Sequence, residues 1–342
     1  MNKLIFGDFS NKLALHAAVA ELVDAHDSKS CSFGSESSSL SRGTMKKAKI
    51  LVILGVTSSG KSSLAVELAK KFNGEIISAD SRQIYRGLDI GTGKVTKKEI
   101  GGIPHYLIDV IDPNEKFSVV DFKRLADKRI GKILAKGKLP IIAGGTGFYI
   151  SSIVEGITYP EVKPNKELRK KMENKWADEL LNILKTKDPE KAKKIDSKNK
   201  RRIIRAIEIA ESLGKNMEVK KDPQYEVLQI GLEVEDKELK ERIKKRIDGW
   251  FKEGLIEEGK RLKENGLSWG RFMELGLEYR NLAWYLQGKM SKEEVVDKMN
   301  TETFQYAKRQ RTWFKKDKKI KWFKEPKKVQ KEVGKFLLKG GR

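Results

Sequence analysis

At 342 residues the chain is long enough for about two domains and for a core that needs no covalent staple. Its single cysteine, Cys31, excludes a disulfide framework and a multi-cysteine zinc finger and fits a reducing compartment. A net charge of +24 points toward a polyanionic partner, although lysines such as those between Lys166 and Lys175 are equally at home on a solvated helix face.

Residues 1–44 stand apart. They hold four basic and five acidic side chains, and eight serines fall between Ser28 and Ser41, so disorder is expected there. The N-terminal apolar stretch is broken by His16, Glu21 and Asp24 and is no signal peptide, and no run reaches the ~18 apolar residues of a membrane span. The protein is therefore expected to be soluble and cytoplasmic. Met45 directly precedes the first strand pattern, and the wording before it resembles a tRNA gene read as protein. Translation is expected to begin at Met45, with residues 1–44 a spurious extension.

Ile50 to Leu54 is a continuous apolar run, the mark of a strand buried on both faces, and Ser62 to Phe72 places Leu64, Ala65, Leu68, Ala69 and Phe72 on one helical face. Between them lies a complete G-x-x-x-x-G-K-[ST] loop, Gly55-Val56-Thr57-Ser58-Ser59-Gly60-Lys61-Ser62. Gly55 and Gly60 let the loop, with Thr57, Ser58 and Ser59, turn its amides around phosphate oxygens. The helix start and Lys61 add positive potential, and the Ser62 hydroxyl is a ligand for Mg²⁺. A diphosphate or triphosphate is implied.

Alternation continues down the chain. Glu75 to Ala79 reads as a strand ending in Asp80, Tyr106 to Val110 as one ending near Asp109, and Pro140 to Ala143 as one ending in Gly144-Gly145-Thr146-Gly147. Helical patterns, notably Val119 to Lys136, separate them. Such an order predicts an α/β fold, a P-loop NTPase-like doubly wound parallel sheet whose ligands gather at the strands' carboxyl ends. From 159 to 220 the strand signal gives way to charged amphipathic helices, including Asn165 to Trp176 and Ser197 to Leu213, which predicts an inserted helical domain. Val227 to Val234 returns to the sheet, so the core comprises 45–158 and 221–323.

Helices then run to about Phe314. Ser291 and Glu294 form a capping box, and Val295, Met299, Thr303, Tyr306 and Gln310 follow helical spacing, leaving Lys308 and Arg311 on a separate stripe. Tyr306 and Trp313 read as core anchors rather than base-stacking platforms. Beyond Lys315 the lysine-rich end, with a basic tail at 324–342, is expected to pack loosely or fray.

Eight motifs occur in order. They are the loop, Asp80-Ser81-Arg82-Gln83-Ile84-Tyr85, Asp89-Ile90-Gly91-Thr92-Gly93-Lys94, Pro104-His105-Tyr106-Leu107-Ile108-Asp109, Gly144-Gly145-Thr146-Gly147-Phe148-Tyr149, Arg201-Arg202-Ile203-Ile204-Arg205-Ala206, Gly276-Leu277-Glu278-Tyr279-Arg280 and Ala307-Lys308-Arg309-Gln310-Arg311-Thr312-Trp313. Together, from about Lys49 to Phe323, they resemble bacterial tRNA dimethylallyltransferases (tRNA isopentenyltransferases).

The resemblance implies transfer of a dimethylallyl group from dimethylallyl diphosphate to the exocyclic amine of the adenosine 3′ of a tRNA anticodon, with Mg²⁺ present and diphosphate leaving. Adenine's amine is a weak nucleophile, so a carboxylate should take its proton, and Asp80 is assigned that role; a Mg²⁺-binding or helix-capping aspartate is the plainer alternative. Thr146 and Arg246 are assigned to the leaving diphosphate, although a turn threonine and a solvated basic run explain them more simply. The implied tRNA contacts are Asp80, Ser81, Arg82 and Gln83 at the adenine, and Arg169, Arg201, Arg202, Arg205, Lys308, Arg309 and Arg311 on the anticodon stem-loop. A monomer is expected.

Four positions depart from the family's wording: Val56, Val95, Tyr106 and Phe304. Phe304 stands where an arginine is frequent, and loss of that charge is expected to weaken an RNA or diphosphate contact unless Lys308 substitutes. A small-molecule or nucleotide kinase would use the same loop but leaves the inserted domain and late basic helix without a purpose. An RNA-binding protein with a vestigial loop leaves Asp80 and Thr146 unexplained, and the tRNA motifs argue against prenylation of free adenine nucleotides.

Overall fold

A computed structural model describes residues 47–160, 162–214 and 220–339; the expectations for residues 1–44 and Met45 lie outside them. The chain forms two compact units, one built from residues up to Val154 and from Gln224 onward, the other from Glu155–Pro223.

The first unit opens with β1 (Lys49–Gly55), α1 (Lys61–Lys71), β2 (Gly74–Ser78), α2 (Lys97–Ile100), β3 (His105–Tyr106), α3 (Val119–Ala135), β4 (Leu139–Gly144) and α4 (Gly147–Val154). The second unit holds α5 (Lys166–Glu173), α6 (Ala177–Lys187), α7 (Pro189–Lys194) and α8 (Lys200–Leu213). The first then resumes with β5 (Glu226–Leu232), α9 (Asp236–Lys252), α10 (Leu255–Glu264), α11 (Trp269–Glu274), α12 (Leu277–Leu286), α13 (Lys292–Phe314), β6 (Lys321–Phe323) and α14 (Pro326–Leu338).

All six strands run parallel in the order β3-β2-β4-β1-β5-β6. Parallel neighbours require crossovers, and the crossing helices cover both faces, which is why the strands read as unbroken apolar runs instead of alternating ones. Ile50, Val52 and Leu54 point into a core with Phe122, Ala126 and Ile130 of α3 and Ile243 and Ile247 of α9. Leu51 and Ile53 point the other way, against Leu64 and Leu68 of α1 and Val329 and Val333 of α14.

Two elements differ from the sequence expectation. The strand expected over Tyr106 to Val110 stops after Tyr106, because Leu107 and Asp109 adopt left-handed backbone (φ 61° and 56°), which no strand residue can hold. Among the described residues, which end at 339, the lysine-rich end is not frayed. β6 adds a parallel edge strand to β5, and α14 buries Val329 and Val333 completely. Val329 and Val333, four apart on one face, dock the helix, with Phe336 and Leu337 packed part-buried against the same core.

Strand register fixes the site. Leu54 lies opposite Gly144, and Ser78 opposite Ala143, so the residues that leave β1, β2 and β4 emerge side by side. Gly144 makes the approach possible, since a Cβ there would collide with the Ala79 carbonyl.

The helical unit is built around Leu168, Leu180, Leu184, Ile203 and Ile207. Within it a buried carboxylate, Glu208, takes a bidentate pair from Arg169 (2.6 and 2.7 Å), a third bond from Arg205 (3.1 Å) and the Asn165 N–H (2.9 Å). Burial raises the Glu208 pKa, but these donors outweigh it and hold the carboxyl below its ordinary range. No described helix is long and apolar enough to cross a membrane.

Candidate active site

The phosphate loop joins β1 to α1 as its sequence requires. Ser58 and Gly60 have positive φ (60° and 89°), turning successive amides toward a common concavity. Lys61, at the head of α1, folds back to donate to the Val56 carbonyl at 3.3 Å. Burial lowers its pKa to about 8, the nearby Asp80 charge pulling it up and Arg246 pushing it down. An ammonium so held is short of a counter-anion.

Asp80 leaves β2 half-buried. Its Oδ1 accepts the amides of Arg82 (2.8 Å) and Gln83 (3.4 Å), shaping the turn, while Oδ2 has no hydrogen-bond partner among the described residues. Thr146, at the end of β4, accepts the Ser81 N–H on its hydroxyl at 3.0 Å, which binds the two strand ends together and leaves its proton to donate. Arg82 reaches the Glu274 carbonyl at 3.1 Å.

Both arginines of the α9 basic run reach the loop. Arg246 donates to Thr57 Oγ1 at 3.4 Å and to the Gly93 carbonyl at 3.1 Å, and Arg242 to the Ser58 carbonyl at 3.4 Å. Gln83 donates to the same Gly93 oxygen at 3.1 Å. Lys94, next in that turn, is occupied by Asp89, Asp109 and the Tyr85 carbonyl.

Helix α13 closes one side. Its buried stripe runs Val295, Met299, Thr303, Ala307, Gln310, Phe314, so Tyr306 and Trp313 fall one step aside and are not core anchors as expected. Tyr306 is half-buried near Asp80 and Glu278; burial and those charges push its hydroxyl up to about 12. Trp313 is 39 % exposed, lies over Gly147, and meets Phe148 edge-on (6.5 Å, 83°). Gln310 accepts the Thr57 N–H at 2.8 Å and donates to the Gly145 carbonyl at 2.9 Å.

Sequence reasoning passed over Gln310, Glu258 and Glu278. The first and last stand inside quoted motifs, which was the available signal; Glu258 carried none. Glu278, at the start of α12, is desolvated enough that its pKa rises to about 7, with its own N–H, Arg82 and Arg246 pulling it down and Asp80 pushing it up.

The arginines and lysines expected on RNA fall into two groups. Arg201, Arg202, Lys308 and Arg309 are exposed. Arg169 and Arg205 are engaged by Glu208, and Arg311 by Asp236 (2.5 Å) and the Val234 carbonyl (3.0 Å). Phe304 lies beneath two ammonium groups, Lys240 at 5.0 Å and Lys308 at 4.8 Å from its ring, so positive charge flanks the position where an arginine is frequent.

No cluster of three or more His, Cys, Asp or Glu side chains among the described residues could hold a metal. Ser62 is half-buried, and its hydroxyl, with no hydrogen-bond partner among the described residues, is a single oxygen donor beside an anion cradle. That suits Mg²⁺, which keeps several waters and shares phosphate oxygens rather than entering an all-protein cage.

A family profile described as IPP transferase matches residues 83–317. The tRNA dimethylallyltransferase of Thermoanaerobacter pseudethanolicus is 44 % identical over 279 residues, covering 78 % of this chain and 89 % of the relative. That of Acetivibrio thermocellus is 45 % identical over 277 residues, covering 78 % and 88 %. Among solved structures, the full-length tRNA isopentenylpyrophosphate transferase of Bacillus halodurans superposes with a TM-score of 0.65 at 36 % identity, covering 85 % of this chain and 96 % of that one. A eukaryotic dimethylallyltransferase acting on tRNA gives a TM-score of 0.67 at 30 % identity, covering 78 % and 69 %.

Proposed function

The chain belongs to the tRNA dimethylallyltransferase family, and from that membership we propose that it joins dimethylallyl diphosphate to the exocyclic amine of the adenosine 3′ of a tRNA anticodon. The amine's lone pair attacks the allylic carbon, the carbon–oxygen bond breaks with its electrons leaving on diphosphate, and the amine proton passes to Asp80 Oδ2. One observation carries the assignment: the Asp80 carboxylate, whose Oδ1 is taken by the turn while Oδ2 is left to accept a proton, lies close enough for its charge to act on the buried Lys61 ammonium that faces the anion cradle.

Lys61, the loop amides, the Thr146 hydroxyl and Arg246 bind the diphosphate and stabilise the charge that grows on its bridging oxygen. Mg²⁺ bound at Ser62 would supply further neutralisation of that charge. Asp80 to Gln83 line the adenine's place, and the exposed Arg201, Arg202, Lys308 and Arg309 meet RNA phosphates. The enzyme acts as a monomer in the cytoplasm.

Incubation with labelled dimethylallyl diphosphate, Mg²⁺ and unmodified tRNA bearing adenosine 3′ of its anticodon tests the assignment. Label is expected in RNA with one diphosphate released per transfer. Unlabelled RNA together with ATP-dependent phosphorylation of a small acceptor would replace the proposal with a kinase.

A further inference from the structure

Behind the Asp89–Lys94 turn sits a carboxylate with no place in the crevice. Glu258, on α10, is 1 % exposed. Its Oε2 accepts the amides of Asp89 (2.9 Å) and Ile90 (2.8 Å), and its Oε1 accepts the amide of Gly91 (3.2 Å) and the hydroxyl of Tyr279 (2.7 Å). Three successive amides converging on one anion form the kind of concavity that binds phosphates elsewhere, here filled by the protein's own charge. The approach is close: a Cβ on Gly91 would come within 2.9 Å of the Tyr279 ring.

The front of the same turn faces the site. Gly93 has φ 56°, and its carbonyl is the shared acceptor for Arg246 and Gln83. A side chain at 93 would occupy the volume of the Arg246 guanidinium. One oxygen thus sets a group on the diphosphate side and a group on the adenine side, and the direction of that oxygen depends on how the preceding amides are tethered.

We propose that Glu258 is a positioning residue for the transfer, fixing the 89–93 turn so that the Gly93 carbonyl holds Arg246 and Gln83 in reach of their substrates. Its role rests on Arg246 being a diphosphate ligand. Glu258→Gln keeps the shape but offers one acceptor oxygen and an NH₂ group to four donors, so the turn cannot keep its pose. A structural residue would lower stability alone; a positioning residue must act through Arg246, and a double-mutant cycle separates the two.

Isothermal titration with inorganic diphosphate and Mg²⁺ reads the cycle without any prenylation, so a failure of the functional assignment and a failure of this one are told apart. Glu258→Gln is expected to bind about tenfold more weakly than wild type, and Glu258→Gln with Arg246→Lys to match Arg246→Lys alone within about twofold. Circular dichroism confirms folding. Wild-type-like affinity of Glu258→Gln, or effects that multiply in the double variant, overturns the role, as does a wild type that binds no diphosphate. Should Glu258→Gln fail to fold, Tyr279→Phe replaces it in the cycle, with about threefold weaker binding and the same lack of additivity expected; unchanged binding by Tyr279→Phe then overturns the role.

Discussion

Gln310 holds Thr57 by its backbone: the glutamine oxygen accepts the Thr57 N–H at 2.8 Å while the same amide group donates to the Gly145 carbonyl at 2.9 Å. One side chain on α13 therefore sets the spacing between the phosphate loop and the turn that carries Thr146. Gln310→Ala strands an amide and a carbonyl and should raise the KM for the diphosphate donor about tenfold. Gln310→Glu should be worse, because a carboxylate oxygen would then face the Gly145 carbonyl. Steady-state kinetics at saturating tRNA checks both.

Asp80→Asn separates shape from chemistry. The asparagine oxygen can still accept the amides of Arg82 and Gln83, but the side chain has no basicity. Single-turnover prenylation should fall about 10²- to 10⁴-fold with diphosphate affinity nearly unchanged. Near-normal turnover would remove Asp80 from proton transfer and leave it a turn-forming residue.

Lys61 gives the pH dependence two opposite signs. In the free protein its pKa is lowered to about 8, so between there and the unfolded value near 10.5 the unfolded chain holds the extra proton. Below 8 both states are protonated and the folded one bears the buried charge; stability from this group should therefore rise as pH climbs from 8 toward 10.5. Diphosphate needs the ammonium, so donor affinity should fall over the same interval. Thermal melts and diphosphate titrations at pH 7, 8 and 9 read the two trends, and Lys61→Met should flatten both.

Glu75, at the start of β2 and far from the strands' carboxyl ends, supports the fold only. Burial raises its pKa, but hydrogen bonds from Lys138, Tyr106 and Lys136 outweigh that and hold it below the usual carboxylate range. Its contribution is present above the ordinary value and is lost as pH falls through the lowered one. Glu75→Gln should cost about 1.5–3 kcal/mol in urea unfolding at pH 7, since it removes the charge from a buried acceptor of three hydrogen bonds while the two lysines stay partly solvated, and should leave kcat alone. A smaller loss at pH 4 than at pH 7 would confirm the sign.

Much of the molecule was legible where local pattern and local chemistry coincide. The loop's glycines, the apolar run Ile50–Leu54 and the Ser291–Glu294 capping box each depend on neighbours within a turn or a strand. Partners distant along the chain were not legible. Nothing near Arg169 or Arg311 announces that Glu208 or Asp236 will engage them, whereas the Arg205–Glu208 pair is a local i,i+3 spacing; nothing near Glu258 announces the amides of 89–91. Tyr306 and Trp313 went astray by one helical step, because the stripe advances by four from Val295 to Ala307 and so runs through Ala307 and Phe314, leaving both aromatics one position before it. The short β3 was hidden by left-handed backbone at Leu107 and Asp109, residues whose identity gives no hint of it.

Lys49, at the first residue of β1, donates to the carbonyls of Phe336 (2.7 Å), Leu337 (3.1 Å) and Lys339, capping α14 from the opposite end of the sequence. During synthesis β1 leaves the ribosome long before those carbonyls exist. Until they do, Leu51 and Ile53 lack Val329 and Val333, and β5 shows an open edge to any passing strand. A nascent chain stalled before residue 321 is thus a client for chaperones, although every substrate-binding group has already been made.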